Sequence, residues 1–566
     1  MRSPRGFTAL VCLLAFTPVA AWAQWHTNGA VVCGATNAQS SVLAVPDGAG
    51  GAILVWVDAR SANKNIYAQR INGSGLAQWT TNGVAICTAT GDQTTPAVVS
   101  DDAGGAIVVW VDFRGGAESD IYGQRVNGAG AVQWTANGVA LCSAATDQRG
   151  PALTPNGASG AVVVWEDLRN GVANKDIYAT RVTSLGVVQD PAGLAVTGAA
   201  NDQLVPQVSP YGAGGAFVVW QDYRAPATNA DIWAARISGA GVLLDVTGLG
   251  VCRNSAVQST PTIVADGSGG AVFVWSDYRG VEGIYAQRAN SAGAGLWTFN
   301  GVQVSTDFSG PYLLAPRAWG DGAGGATISW TSAAGADYNL FAQRIDGLGV
   351  VQWLPHETIV SYAAFSQMNN AMVPDGTGGF IYSWMDDRTI QEQFDIYTQR
   401  VNSSGVAQWT NDGVVVCNAS NDQGFPCMVT DNAGGGIVAW VDSRNDASGA
   451  QDDIYAQHIL AGGGIPTAVG RAPSAAFTVL AAQPNPFAER TTIDLELREA
   501  SPVEVDVFDV AGRRVRALSL PDQPAGWRRV SFDGRDDAGH PLPSGVYFLR
   551  VSAAHATHTQ KIVVVR

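Results

Sequence analysis

Eight short apolar runs along the chain each close on a tryptophan: Trp56, Trp110, Trp165, Trp220, Trp275, Trp330, Trp384 and Trp440. The spacing stays close to 55 residues throughout, which is a repeat period rather than a motif. A period this regular means one supersecondary unit packed against copies of itself, since a single unit cannot bury its own apolar faces.

In its clearest copy the unit runs Pro96-Ala97-Val98-Val99, a turn Asp102-Ala103-Gly104-Gly105, then Ala106-Ile107-Val108-Val109-Trp110. Asp112 and Arg114, a polar loop and Asp120-Ile121-Tyr122-Gly123-Gln124-Arg125-Val126 follow, then Gln133-Trp134 and Asn137-Gly138-Val139-Ala140-Leu141-Cys142. Four stretches rich in Val, Ile, Trp and Tyr between Gly, Asn and Asp clusters read as strands and tight turns. No stretch carries a sustained 3.6-residue apolar period, so no helix is expected in the repeats. The second strand, as in Ala52-Ile53-Leu54-Val55-Trp56, is apolar on both faces and needs cover on both. Radial packing of four-stranded sheets, the β-propeller solution, supplies that cover. A linear β-solenoid is the alternative, but its coils are usually shorter and need end caps.

The ends point to closure. The chain enters the repeats on the last element of the unit, Asn28 to Cys33, and leaves them after the third, Asp453 to His458. The first strand can thus complete the last unit and remove two exposed edges. The fold class expected is all-β: an eight-bladed β-propeller followed by a small Ig-like β-sandwich.

Residues 1–23 read as a secretory signal. Arg2 and Arg5 form the basic start, Ala9 to Phe16 the apolar centre, and Ala21-Trp22-Ala23 a small-residue cleavage site. That run is too short to span a membrane, and no later segment comes close. The chain is therefore expected to be secreted, outside the cell or attached to its surface. A net charge of −15 without basic clusters argues against nucleic acid and anionic membranes as partners.

Cysteine usage does not suggest a disulfide framework. Cys33, Cys87, Cys142, Cys252 and Cys417 fill one slot in five repeats, with Thr197 and Ser305 in that slot elsewhere. Equivalent slots in separate blades lie beyond the roughly 7 Å Cα limit for a bridge, so buried free thiols are expected. Cys427 stands in a different strand and has no evident partner.

One charged motif accompanies the tryptophans, Trp-x-Asp-x-Arg. It occurs as Trp56/Asp58/Arg60, Trp110/Asp112/Arg114, Trp165/Asp167/Arg169, Trp220/Asp222/Arg224, Trp275/Asp277/Arg279, Trp384/Asp386/Arg388 and Trp440/Asp442/Arg444. The sixth repeat breaks it with Thr331-Ser332-Ala333-Ala334. A functional site needs different residues converging on one place, whereas seven copies of one slot suit a structural brace between the second and third strands. The Asp-Gln pairs Asp92-Gln93, Asp147-Gln148, Asp202-Gln203 and Asp422-Gln423 read the same way. Asp-Gly-x-Gly-Gly turns such as Asp47 to Gly51 and Asp266 to Gly270 offer one carboxylate each, unlike a calcium loop with its several spaced ligands. No Gly-x-Ser-x-Gly, His-Glu-x-x-His, nucleotide loop, metal-spaced histidine cluster or non-repeating carboxylate pair is found, so neither cofactor nor catalytic set is expected.

After His458 the pattern stops. Residues 461–478 are rich in Gly, Ala and Pro and read as a flexible linker between repeats at 24–460 and a C-terminal module at 479–566. The module alternates as strands do, for instance in Val503-Glu504-Val505-Asp506-Val507-Phe508. Pro484-Asn485-Pro486-Phe487, Phe508-Asp509-Val510-Ala511-Gly512-Arg513, Asp533-Gly534-Arg535-Asp536 and Ser544-Gly545-Val546-Tyr547-Phe548 occur in that order. Together they resemble the type IX secretion (Por) sorting domains and the related Ig-like domain of flagellar hook-capping proteins. That resemblance implies a sorting or anchoring tail read by export machinery. The repeats resemble uncharacterised propeller-like repeats of secreted bacterial proteins, which carry no known activity.

A rigid exported scaffold without a catalytic set suggests a non-catalytic protein that binds a protein or glycan at the cell surface. The alternatives are a carbohydrate-active hydrolase assembled from unmatched residues, and a structural surface-layer component. Function in such scaffolds sits in loops at the disc faces and around the channel. The repeat that deviates is the place to look: Thr331 to Tyr338, then Trp353-Leu354-Pro355-His356-Glu357.

Overall fold

The computed structural model describes residues 25–224, 229–280, 282–305, 313–334, 337–390, 393–445, 450–466, 477–479, 482, 484–497, 500–510, 512–523, 526–553 and 556–566. The expected signal segment lies outside them. The chain divides into two compact units, Met1–Thr467 and Ala468–Arg566.

The first unit is all-β and propeller-like. Its described residues form eight four-stranded antiparallel sheets, seven of them built from consecutive strands. In the first sheet these are Gln39–Pro46, Ala52–Asp58, Asn65–Ile71 and Val84–Cys87. The second strand is buried at every position, as two apolar faces require. The eighth sheet takes its fourth strand from the start of the chain: Ala30 pairs with Ala456, Val31 with Tyr455 and Cys33 with Ile454.

Each apolar cluster of this unit is shared by two neighbouring sheets. Val55 and Ala68 of the first sheet meet Val108 and Trp110 of the second, and the series continues around the unit. The eighth cluster joins the last sheet to the first, bringing Val32, Ala439 and Ile454 against Leu54 and Trp56. The eight marker tryptophans are fully buried in these layers. Burying each contributes at least 2 kcal/mol or so, which makes them the main fastening between sheets.

Hydrogen bonds reinforce the layers on both faces. Arg70 donates to Asp47 within its own sheet at 3.0 Å and to the Gly128 carbonyl of the next at 3.0 Å. Trp79 donates to the same carbonyl at 3.1 Å, and Trp25 reaches Gly73 of the first sheet in the same way. The Asp-Gln pairs serve the opposite face: Asp92 accepts the Lys64 amide from the preceding sheet at 2.9 Å, while Gln93 donates to the Gly91 carbonyl at 2.9 Å. In the Asp-Gly-x-Gly-Gly turns the aspartate is fully occupied. Asp47 Oδ1 accepts the amides of Ala49 and Gly51, both at 2.7 Å, and Oδ2 accepts Arg70.

The segment read as a linker begins with order. Leu460 donates to the Gly464 carbonyl at 2.9 Å, Gly463 sits against the Trp409 ring, and Ile465 packs on the last cluster. This is the turn that follows the third strand in every repeat, so the repeat fold runs through Ile465. Residues 467–476 lie outside the described ones.

The second unit has two sheets. Phe477–Val479, Thr491–Leu497 and Gly526–Phe532 form one; Arg514–Gln523, Ser501–Phe508, Gly545–Ala553 and Ala556–Val564 form the other. A single core including Phe487, Leu495, Val505 and Leu549 lies within it. Gly512, at φ 76°, turns the hairpin between Ser501–Phe508 and Arg514–Gln523.

Candidate binding channel

The Trp-x-Asp-x-Arg residues do not converge on one site. Each trio closes on itself within its repeat. The Trp110 indole donates to Asp112 Oδ2 at 2.7 Å; Arg114 donates through Nε to Oδ1 at 2.8 Å and through Nη2 to Oδ2 at 2.7 Å. The Arg114 guanidinium lies 3.7 Å from the Tyr122 ring centre and also donates to the Asn137 carbonyl at 2.8 Å. The same indole-to-carboxylate bond forms at Asp58, Asp167, Asp222, Asp277, Asp386 and Asp442, each carboxylate fully buried. Arg60, Arg169, Arg224, Arg279, Arg388 and Arg444 pair with these aspartates as Arg114 does with Asp112.

The seven trios are not identical, and Arg224 departs furthest from the uniform slot that the sequence suggests. Its guanidinium lies 3.7 Å from the Trp233 ring, where the other six repeats stack the arginine on a tyrosine. It holds Asp222 through Nε at 2.9 Å and Nη2 at 2.7 Å, but reaches the Thr247 carbonyl through Nη1, at 3.1 Å. Arg169 likewise uses Nη1, on the Ala192 carbonyl at 2.8 Å. The cause is the turn before the fourth strand. Asn82, Asn137 and Asn300 are left-handed there and aim their carbonyls at Nη2, whereas Ala192 and Thr247 are not left-handed and present theirs to the other terminal nitrogen.

The cysteine slot belongs to this knot. Cys33, in the eighth sheet, lies 3.8 Å from Asp58 and 3.2 Å from Arg60 in the first. All the described cysteines are free. Burial pushes the thiols of Cys33, Cys87 and Cys142 up to about 11 and those of Cys252 and Cys417 to about 12, so they stay neutral and unreactive. Where the sixth repeat has Ser332 instead of aspartate, the Trp330 indole N–H is buried without a partner.

A second acidic position sits opposite the knot. Asp395 pairs across the ladder with Asp386, and Asp231 with Asp222. Burial, with help from the facing carboxylate, pushes both up to about 6. Their ionisation therefore opposes folding at neutral pH, and the penalty disappears as pH falls through about 6 towards the unfolded value. Asp266, Asp375 and Asp431 are held below 3.8 despite burial, by hydrogen bonds from Arg288, from Thr377 and from His458 respectively, so they lose stability only in stronger acid. Thermal melting across pH should show stability rising from pH 7 towards 5. Asp395→Asn, matching Asn65 in the first repeat, should flatten that rise and add about 1–2 kcal/mol at pH 7.

A cavity of the first unit lies among the innermost strands of sheets six, seven, eight, one and two, with a volume of about 860 Å³. Every described innermost strand carries a bulge near its start, where the register slips, as between Ser40 and Leu43. The bulged residue is left-handed in seven repeats: Ser41, Thr95, Gly150, Val205, Thr260, Asn369 and Phe425, with φ between 49° and 55°. Such a backbone is strained for valine or threonine and is kept only where surrounding structure over-determines it. Unlike the knots, this slot differs in almost every repeat.

Four side chains stand out in the repeats. Arg317 stands where Ala97, Ala152 and Ala371 occupy the same register position; it is exposed to the cavity, yet walled by protein on its sides. Desolvation, with no counter-charge beside it among the described residues, holds its guanidinium below the usual value. Trp319 and Phe425 also line the cavity with 41% and 61% of their surfaces exposed. Outside this lining, Glu166 stands at the register position that Val57, Val111 and Val441 hold in three other repeats. It accepts the Val205 amide at 2.7 Å, and burial raises its pKa above the ordinary carboxylate value.

None of these residues was singled out from sequence, because each stands at a slot whose residue varies between repeats. The sixth repeat does supply two of the cavity residues, but on its innermost strand. Trp353 lies instead on the outer side, buried and bonded to the Ser403 carbonyl at 3.1 Å, like the other outer tryptophans. Among the described residues no group of three or more His, Cys, Asp or Glu side chains could hold a metal. No helix among them is long and apolar enough to cross a membrane.

No curated protein matches the chain. Among solved structures it is similar to the Penicillium chrysogenum alpha-L-arabinanase complexed with arabinobiose (12% identity, 57% of this chain, 99% of that one, TM-score 0.35). It is similar to PorZ, a surface component of the type-IX secretion system of Porphyromonas gingivalis (11% identity, 91% and 74%, TM-score 0.30). FlgD from P. aeruginosa shares 29% identity over 13% of this chain and 61% of its own, with a TM-score of 0.12. The family described as the FlgD Ig-like domain matches residues 485–557, and the C-terminal unit is accordingly Ig-like.

Proposed function

We propose that the eight sheets are the blades of a closed eight-bladed propeller, and that the protein is exported and binds a protein or glycan without turning it over. The observation that carries this reading is the channel's content. Exposed aromatic surface and Arg317, which has no carboxylate beside it among the described residues, line it, while the repeated carboxylates are spent in buried knots. Binding needs such convergent, differing side chains; hydrolysis of a glycosidic bond needs two carboxyl groups facing one space. Glu166 favours the hydrolase reading through its raised pKa, but the carboxylate among the cavity's lining residues is Asp452.

In domain terms, we take residues 1–23 as a signal peptide, the repeats as the binding unit and the Ig-like unit as a sorting or anchoring module. Ligand capture on a glycan and protein array, with no product released over a day, is the outcome that supports binding. Product release that stops in Glu166→Gln would replace it with hydrolysis. Deleting residues 467–566 should leave the repeats folded but retained in the periplasm; normal surface amounts of the truncated chain would remove the sorting role.

A further inference from the structure

We propose that the channel takes an anionic sugar residue of a glycan, with Arg317 on its carboxylate or sulfate and Trp319 and Phe425 as stacking faces. This rests on the binding reading above.

The repeat arginines show why Arg317 is unusual. Arg60, Arg114 and their equivalents pair with aspartates inside the knots, and Arg70, Arg125 and Arg288 pair with turn aspartates. Arg317 has no carboxylate beside it among the described residues, and its exposed side chain lines the cavity. A guanidinium on a cavity wall with no carboxylate of its own chain beside it is free to take its opposite charge from a ligand. Its planar fork fits a carboxylate or sulfate through two parallel hydrogen bonds.

The remaining lining selects a sugar over an acidic peptide. A peptide adding to a sheet edge needs a regular row of backbone donors and acceptors. Here the bulges interrupt every described innermost strand, and proline removes a further amide from most of them, as at Pro96 and Pro426. What the cavity offers is side chains: hydroxyls and an amide on Ser41, Thr95 and Asn369, beside two exposed aromatic rings. Hydroxyl-matching polar groups and flat apolar faces suit a pyranose ring.

The chain's charge of −15 limits the ligand further. The summed field repels a dense polyanion, whereas screening within about 8 Å at physiological salt leaves a single local contact intact. A short oligosaccharide with one charged residue fits better than a heavily sulfated chain.

The test is calorimetric titration of the full exported chain with three oligosaccharides of equal length: one uronate-bearing, one monosulfated, one neutral. At least one charged oligosaccharide should bind about tenfold or more tighter than the neutral one. Arg317→Met should lose about 10- to 100-fold for the charged ligand alone, and Arg317→Lys should restore part of it. Phe425→Ala should weaken charged and neutral ligands alike. Equal binding of charged and neutral ligands, or an unaffected Arg317→Met, overturns the anion assignment; if Phe425→Ala still weakens both, the glycan-binding reading stands. Absence of binding by all three at millimolar concentration overturns the proposal, and a protein captured on the array in the same material would locate the failure in the ligand class.

Discussion

Deleting residues 25–36 should lower the stability of the repeat unit by on the order of 5 kcal/mol or more, the largest effect of any change considered. The segment buries Trp25, Val32 and Cys33 between the last sheet and the first. Its removal exposes the edge of Asp453–Ile459 and takes away the Asn28 carbonyl that receives Arg444 at 2.7 Å. Gln457 would also lose the His26 carbonyl, at 2.6 Å. An open ring with a bare strand edge is prone to pair with another copy. Thermal unfolding and size-exclusion profiles measure both outcomes, and a peptide covering residues 24–37 should restore the melting temperature. A truncated chain that melts with the full one and stays monomeric would mean the pairing contributes nothing to closure.

Asp112→Ala should cost about 3–5 kcal/mol, the range for breaking one half of a buried, hydrogen-bonded ion pair. The variant leaves the Trp110 indole and three Arg114 donors without their acceptor. Trp330 shows that one such orphan is tolerated, but there the arginine is also absent from the motif. Denaturant unfolding measures the loss. If the knot is a brace, affinity for any ligand of the channel is unchanged in the folded fraction. Asp112→Ala and Arg317→Met should thus form a crossed pair, the first moving stability and the second affinity. A stable Asp112→Ala that no longer binds would place the knot in the site.

How much was legible before the structure follows from what kind of signal each feature leaves. The tryptophan period, the doubly apolar second strand and the offset between where repeats start and stop are one-dimensional, and they foreshadowed the four-stranded sheets and the pairing of Ala30 with Ala456. The Ig-like module was visible in its turn motifs. The channel was not. Left-handed backbone is normally signalled by Gly or Asn, yet Val205, Thr95 and Phe425 adopt it because ladder pairing on both sides of the bulge leaves no other path. Arg317 looked ordinary because its partners in the slot, Ala97 and Ala152, are recognised only through register. Arg224 looked like its six equivalents because the motif does not reach as far as Trp233 or Thr247, which reshape its contacts. The arginine contacts between sheets, such as Arg125 to the Ser184 carbonyl, span nearly 60 residues and leave no local trace.

The shared eighth sheet also sets an order of events. Seven sheets are meanders of neighbouring strands, each able to form as soon as its own residues are together. The eighth must wait, because Asn28 and Arg444 are separated by 416 residues. Until the last repeat arrives, the opening strand has no place to go and the growing stack presents an unpaired end. Assembly therefore finishes with the pairing that spans the longest stretch of chain rather than beginning with it. Were the chain to cross a membrane unfolded, this last pairing would form only after the whole repeat region had emerged.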